Sequence, residues 1–203
     1  DMGNFMSKKL ELEAFRDFCI ETYKEQKPVN IDEDNVASRF MDYDGWTIHR
    51  KRAWTAIMSG AHYDYIDFSI QNRLPAGTSD SQEYLHRWYW NIRRFMRDVD
   101  IERCSPLNEI IGEHPENSIC CVFALPGIEY NIYLADTREL GNIGYSEPIT
   151  GNIRLVISKG RFEVAYYSPE YGQFLSKEEI SGGTVKLEVP QFKHDLVVKI
   201  KRI

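Results

Sequence analysis

The sequence has 203 residues, a net charge of −6 and no block of lysine or arginine. Binding to nucleic acid through phosphate contacts needs a clustered positive surface, so no nucleic-acid partner is expected. No apolar run reaches the roughly 20 residues a membrane-spanning helix needs, so no membrane partner is expected either. No signal peptide is visible. The chain starts at Asp1, which is not a translation start. That start hints at something upstream either removed or not recorded, so the missing signal says little about compartment. The four cysteines, Cys19, Cys104, Cys120 and Cys121, form no CxxC pair. That argues against a structural zinc site and against a disulfide framework. Ser59 and Ser69 have no GxSxG-like context, which argues against a serine hydrolase. No cofactor is expected, and there is no internal repeat or low-complexity tract.

Aromatic residues are plentiful, including 12 Tyr and 4 Trp. They suit carbohydrate-stacking surfaces and ordinary cores equally well. Residues 10–23 predict a helix, with Phe15, Phe18, Cys19, Thr22 and Tyr23 on one face. Pro28 stops it, because proline lacks the N–H that continues the ladder. A short apolar run, Val29 to Ile31, then ends in acid: Asp32, Glu33 and Asp34. This pattern predicts a buried parallel strand that delivers carboxylates to its C-terminal end, where barrel folds carry their catalytic residues. The competing reading is a strand followed by a solvated acidic loop.

Residues 34–45 read as a long loop, and a second helix is expected from about Thr47, with Ala53, Trp54, Ile57, Met58 and Ala61 on one face. Residues 62–70 alternate and predict a strand. A Gly- and Pro-containing loop follows, then a third helix with an unbroken apolar stripe: Leu85, Trp88, Tyr89, Ile92, Phe95, Met96 and Val99. Asp80 and Glu83 are its expected capping pair. Arg93, Arg94 and Arg97 read as a solvated helix face. Trp54 and Trp88 read as core residues. This is the βα rhythm of a parallel sheet, and two strands are too few to complete one.

After Asp100 the rhythm changes. Period-two runs cover residues 119–125, 130–134, 153–157, 162–167, 185–189 and 196–200. Turn signals separate them at Pro126-Gly127, Ser158-Lys159-Gly160 and Ser181-Gly182-Gly183. Short strands with regular turns predict an antiparallel β-sandwich. The expected division is therefore residues 1–105, α/β, and residues 106–203, all-β, with the boundary near residues 101–109. Cys120 and Cys121 are neighbours in one strand and should point to opposite faces.

Several stretches together resemble a known family. They are Lys27-Pro28-Val29-Asn30-Ile31-Asp32-Glu33, Arg50 to Gly60, and Ala61-His62-Tyr63-Asp64-Tyr65. They are similar to the end of a TIM-barrel glycoside hydrolase of the cellulase-like retaining clan. In that clan a "KPv-x-x-E" seventh strand is followed by an "R-x-x-x-W-x-x-x-x-x-G" helix, the eighth strand and a last helix. A small β-sandwich is commonly appended. Phe162 to Gly172 is similar to the sandwich's "v-x-W-Y-(D/N)-P-x-x-G" strand, and Tyr130 to Leu140 suits it as well. The resemblance implies the last βα units of a (β/α)8 barrel followed by the sandwich. It also implies a polysaccharide or oligosaccharide substrate, and a family whose members are often secreted.

The resemblance further implies that Glu33 matches the family's nucleophile. A retaining glycosidase needs a second carboxyl group about 5 Å away to protonate the leaving oxygen. In the family that group follows the fourth strand, which has no counterpart here. Asn108-Glu109 has the right letters in the wrong place. A quarter of a barrel cannot close, so the chain alone is expected to be inactive and to need the missing N-terminal barrel segment as its partner. Asp34 is the alternative to Glu33 if the register shifts by one, and Asp32 should turn toward the helices as a structural partner.

Asp67 reads as an acceptor for a sugar hydroxyl or as a hydrogen-bonded interior acid. Trp46, Tyr43, Tyr65 and Phe68 suit sugar stacking or packing. Arg39 suits orienting Glu33 or a surface position. His62 and Asp64 share a face with Asp67 opposite, a poor metal site. The alternative function is a non-catalytic carbohydrate-binding or structural β-sandwich with a remnant barrel.

Overall fold

The computed structural model describes residues 12–32, 34, 42–64, 78–138, 145 and 147–203. Three helices come first: α1 (Leu12–Tyr23), α2 (Tyr43–Met58) and α3 (Ser79–Met96). Two short strands, β1 (Asn30–Ile31) and β2 (His62–Tyr63), lie between them and pair in parallel, Asn30 opposite His62 and Ile31 opposite Tyr63. The parallel pairing agrees with the pattern of residues 29–31, but the strand is not buried as expected: Asn30 is exposed, and Val29 and Ile31 are half-buried. Residues 65–70 of the expected second strand lie outside the described residues.

The helix ends differ from expectation. α2 begins at Tyr43, inside the stretch that reads as loop, because Asp42 caps it by accepting from Gly45 N at 2.8 Å. α3 is capped by Thr78 rather than by Asp80 and Glu83. Ser81 N donates to Thr78 Oγ1 at 3.0 Å, and Thr78 N donates to Ser81 Oγ at 2.9 Å. Serine at that position closes a capping box as glutamate does, through its own hydroxyl.

Seven strands follow: β3 (Ser105–Pro106), β4 (Ile111–Glu113), β5 (Ser118–Leu125), β6 (Glu129–Asp136), β7 (Ile149–Ser168), β8 (Gln173–Phe192) and β9 (Asp195–Arg202). They form one antiparallel sheet in the order β3-β5-β6-β9-β7-β4, with β8 alongside β7. The expected six separate runs are thus five strands. Ser158-Lys159-Gly160 and Ser181-Gly182-Gly183 are not turns; they lie inside β7 and β8. Ile157 pairs with Gly183 and Arg161 with Ser181, so three residues of β7 oppose the single residue Gly182. Such a bulge bends the strand pair. At Gly182 a Cβ would sit 2.0 Å from the Ser158 carbonyl oxygen, so only glycine fits this corner.

The bend folds the far half of the β7–β8 hairpin over the sheet. One apolar cluster joins Val122, Ile132, Leu134 and Val198 on the sheet to Ile153, Leu155, Val185 and Leu187 on the hairpin. The arrangement is compatible with a β-sandwich. The opposite face of the sheet packs on the helices, where Ile119, Cys121, Phe123, Tyr133 and Val197 meet Phe15, Cys19, Trp54, Ile92 and Phe95. Cys120 and Cys121 do face opposite ways. Both faces of β5 and β6 are therefore buried, while the outer half of the hairpin alternates buried and exposed. Trp54 is central to the helix side: it is closed to solvent and stacks on Tyr133 with ring centres 5.7 Å apart. Burying a side chain of this kind contributes about 1.5–3 kcal/mol.

α2 is closed off on nearly all sides, although it carries Arg50, Lys51 and Arg52 in a row. Successive residues on a helix point about 100° apart, and each cation finds its own partner. Arg50 donates to both oxygens of Asp195 on β9, at 2.8–3.2 Å, and lies 4.3 Å from the centre of the Trp88 ring. Lys51 Nζ donates to the Asp136 carbonyl of β6 at 3.0 Å. Arg52 reaches Asp34, after β1. The helices also grip the β7–β8 turn. Asn91 Nδ2 donates to the carbonyls of Pro169 and Glu170 at 3.0 and 3.2 Å, and Tyr43 donates to Glu170. Gly172 lies so close that a Cβ would be 2.1 Å from Asn91 Oδ1.

Two predictions follow from this packing. Asp195→Ala leaves the Arg50 guanidinium buried without its counter-charge, and denaturant unfolding is expected to show a loss of about 3–5 kcal/mol; Arg50→Met with Asp195→Leu should recover much of it. His194, between β8 and β9, is buried at a φ of +58°. Burial holds its imidazole below the usual pKa, helped by Arg50 and Lys51 and opposed by Asp195 and Asp44. The unfolded chain therefore takes up the proton first. Stability is full above about pH 6.5 and is lost as pH falls toward the depressed folded value. Asn tolerates this backbone conformation, so His194→Asn should flatten the fall in melting temperature between pH 7 and pH 5.

Candidate active site

The C-terminal ends of β1 and β2 lie side by side. His62 N donates to Val29 O at 2.7 Å, and Asp64 N donates to Ile31 O at 2.9 Å, so the ladder runs past both strands. Three carboxylates of the described residues leave this end: Asp32, Asp34 and Asp64. Asp32 and Asp64 are exposed. Asp34 is buried. It accepts from Arg52 Nε of α2 and from Tyr63 Oη of β2, the latter at 3.1 Å. The Arg52 guanidinium lies 3.9 Å from the centre of the Phe15 ring on α1. One carboxylate thus ties the segment after β1 to α2 and β2, and through Arg52 to α1.

This corrects two expectations. The acid that turns toward the helices is Asp34 rather than Asp32, because β1 ends at Ile31 and strand alternation does not carry on to residue 32. Asp34, tied to a buried guanidinium, is also not free to attack a sugar. Glu33 lies outside the described residues, as do Arg39, Tyr65, Asp67 and Phe68. Trp46 is 4% exposed and packs with Leu85 and Trp88 between α2 and α3, so its surroundings are those of a core residue. Tyr43 is half-buried at the edge of that cluster, with its hydroxyl on Glu170; burial and this hydrogen bond push the phenol pKa up.

The sequence pattern does not mark Arg50, Arg52 and Asp195 as partners. A helix bearing Arg-Lys-Arg looks solvated, and nothing in the local pattern points to acids 18 and 145 positions away. The "R-x-x-x-W" spacing was the one available sign, since it places Arg50 one turn before the central Trp54.

A cavity of about 750 Å³ opens at the other end of the strands, beside Lys27, Pro28, Gly60 and Ala61. Tyr89, Ile92, Met96 and Phe123 make its wall apolar. It stands at the N-terminal ends of β1 and β2, away from the carboxylates. Cys104 is on its wall, and burial, with the Glu129 carboxylate, pushes that thiol up to about 12. Burial likewise pushes Cys19 and Cys121 up to about 12, so none of these three supplies a thiolate near neutral pH. Among the described residues, no three His, Cys, Asp or Glu side chains come together as a metal site, and no helix is long and apolar enough to cross a membrane.

A solved structure described as a glycoside hydrolase superposes on 87% of this chain with a TM-score of 0.63, at 13% identity. The chain has a glycosidase-like fold. A glycoside hydrolase family 5 structure from Bacteroides vulgatus ATCC 8482 superposes on 77% of it, with a TM-score of 0.54 at 11% identity. The chain spans 42% and 36% of the lengths of these two proteins. No family model matches the sequence, and no curated protein does.

The Asp34–Arg52 contact gives a prediction of its own. Asp34→Ala takes a buried carboxylate away from the Arg52 guanidinium beside Phe15. The expected loss of stability is about 3–5 kcal/mol, with faster hydrogen exchange at the Asp64 amide, whose partner is the last residue of β1.

Proposed function

We propose that this chain is the C-terminal part of a retaining glycoside hydrolase. In this reading β1 and β2 are the last two strands of a (β/α)8 barrel, α2 is the helix between them and α3 is the last helix. The all-β part is the β-sandwich appended to it. The observation that carries the reading is the parallel β1–α2–β2 unit. It has carboxylates leaving the C-terminal ends of its strands and a fold likeness to glycoside hydrolases across most of the chain. In barrels of this kind, chemistry sits at that end.

Glu33 is the proposed nucleophile. In sequence it lies between Asp32, which follows β1, and Asp34, which is held by Arg52 and Tyr63; a nucleophile needs such rigid support nearby. The nucleophile forms a covalent glycosyl intermediate, while a second carboxylic acid protonates the leaving oxygen and then activates water. That acid comes from the N-terminal barrel segment, so the partner of this chain is the rest of the barrel and the substrate is a polysaccharide or oligosaccharide. Asp67, Phe68, Tyr65 and Arg39 are proposed to meet the sugar from the segments around β2 and after β1.

The test is turnover of aryl glycosides and oligosaccharides by the whole enzyme. Glu33→Gln is expected to lower kcat by at least about a thousandfold with the melting temperature unchanged, and the 203-residue chain alone is expected to show no turnover. Full activity in the Glu33→Gln enzyme sinks the assignment.

A further inference from the structure

α3 carries a solvent-facing stripe that neither the core nor the proposed active site uses. Trp90 is 47% exposed, and the guanidiniums of Arg93 and Arg97 each lie 5.6 Å from its ring centre. Arg94 is exposed next to them. Spacings of three and four put these side chains on one side of the helix. Among the described residues no carboxylate pairs with Arg93, Arg94 or Arg97, whereas Arg161 and Lys177 on the nearby hairpin have Glu179 and Glu163.

The stripe borders a cavity of about 410 Å³ between α3 and the β7–β8 turn. Arg94 and Arg97 bring two exposed cations to its wall, Lys199 is buried there with its Nζ on the Asp98 carbonyl at 2.9 Å, and Asp98 adds one carboxylate. Phe174, 46% exposed, stands edge-on to Tyr167 in the same wall. The chain as a whole carries a charge of −6, so this local excess of cations runs against its average. The solvated face expected from the sequence is, in the fold, one side of a cationic, aromatic-walled recess.

We propose that this recess binds an acidic polysaccharide. The guanidiniums take carboxylate or sulfate groups through paired N–H donors, and Trp90 and Phe174 take the apolar faces of the sugar rings. The charge is complementary, and the aromatic rings supply the flat surface a pyranose needs. Arg93 to Arg97 rises only about 6 Å along the helix. That is short for a groove tracking the several nucleotides of a single strand, and it matches cations about one sugar ring apart. None of these residues is on β1 or β2, which carry the proposed catalytic end, so the site stands or falls separately from the catalytic reading.

The test uses the full 203-residue chain in affinity electrophoresis and titration calorimetry. Polygalacturonate supplies carboxylates and heparin supplies sulfates; a neutral cello-oligosaccharide and a single-stranded oligonucleotide are the comparators. One or both acidic glycans are expected to bind, and the stronger of the two names the anionic group. Arg94→Gln with Arg97→Gln should weaken that binding about tenfold or more, and Arg94→Lys with Arg97→Lys should restore only part of it. Trp90→Ala should weaken it about fivefold, with all melting temperatures unchanged because the side chains are exposed. Three outcomes overturn the proposal: neither acidic glycan binds, binding survives the paired glutamine changes, or the oligonucleotide binds equally well and Trp90→Ala has no effect.

Discussion

Arg50 and Asp195 meet with both side chains closed off from water, 145 positions apart in the chain. A bidentate pair in such a place is costly to desolvate and is held by its geometry. Tyr133 adds a hydrogen bond to Asp195 at 3.1 Å, and Trp88 covers the guanidinium. The pair fixes α2 against β9. With α2 fixed, Trp54 stacks on Tyr133, Lys51 reaches the end of β6, and Arg52 is aimed at the segment after β1. One helix thus links the antiparallel sheet to the ends of the parallel strands. The helices and the sheet share one core across residues 101–109, where the sequence pattern places a boundary.

The central strands show what that shared core requires. β5 and β6 are covered by helices on one face and by the folded hairpin on the other, so both sets of alternate side chains must be apolar or satisfied. The bulge around Gly182 makes the second cover possible, because a straight hairpin would leave the Val122 face exposed. The β7–β8 turn then reaches the helices at Asn91 and Tyr43. The sheet is therefore locked to the helices by the turn as well as by Asp195 and Asp136.

Periodicity exposed the three helices, the parallel character of residues 29–31 and most of the strands. Local chemistry explains the misses. Glycine triplets look the same whether they make a turn or a bulge, and only the pairing of β7 with β8 across Gly182 tells them apart. The cap of α3 is a serine box where an acidic one was expected, since a hydroxyl and a carboxylate satisfy the same N–H. Asp32, Glu33 and Asp34 are one acidic run in sequence. The exposure of Asp32 and the burial of Asp34 depend on where β1 ends and on what lies beneath it.

By itself the sequence determined the element types, the opposite facing of Cys120 and Cys121, and the presence of carboxylates after a short parallel strand. These follow from spacing, which is local. The tertiary structure alone decided that Asp34 is a buried anchor, that Arg50 and Arg52 are interior cations, and that Arg94 and Arg97 look into a recess. Each of these depends on groups brought together from distant parts of the chain. A charged side chain's role is set by its counter-charge and its distance from water, and no local pattern carries either.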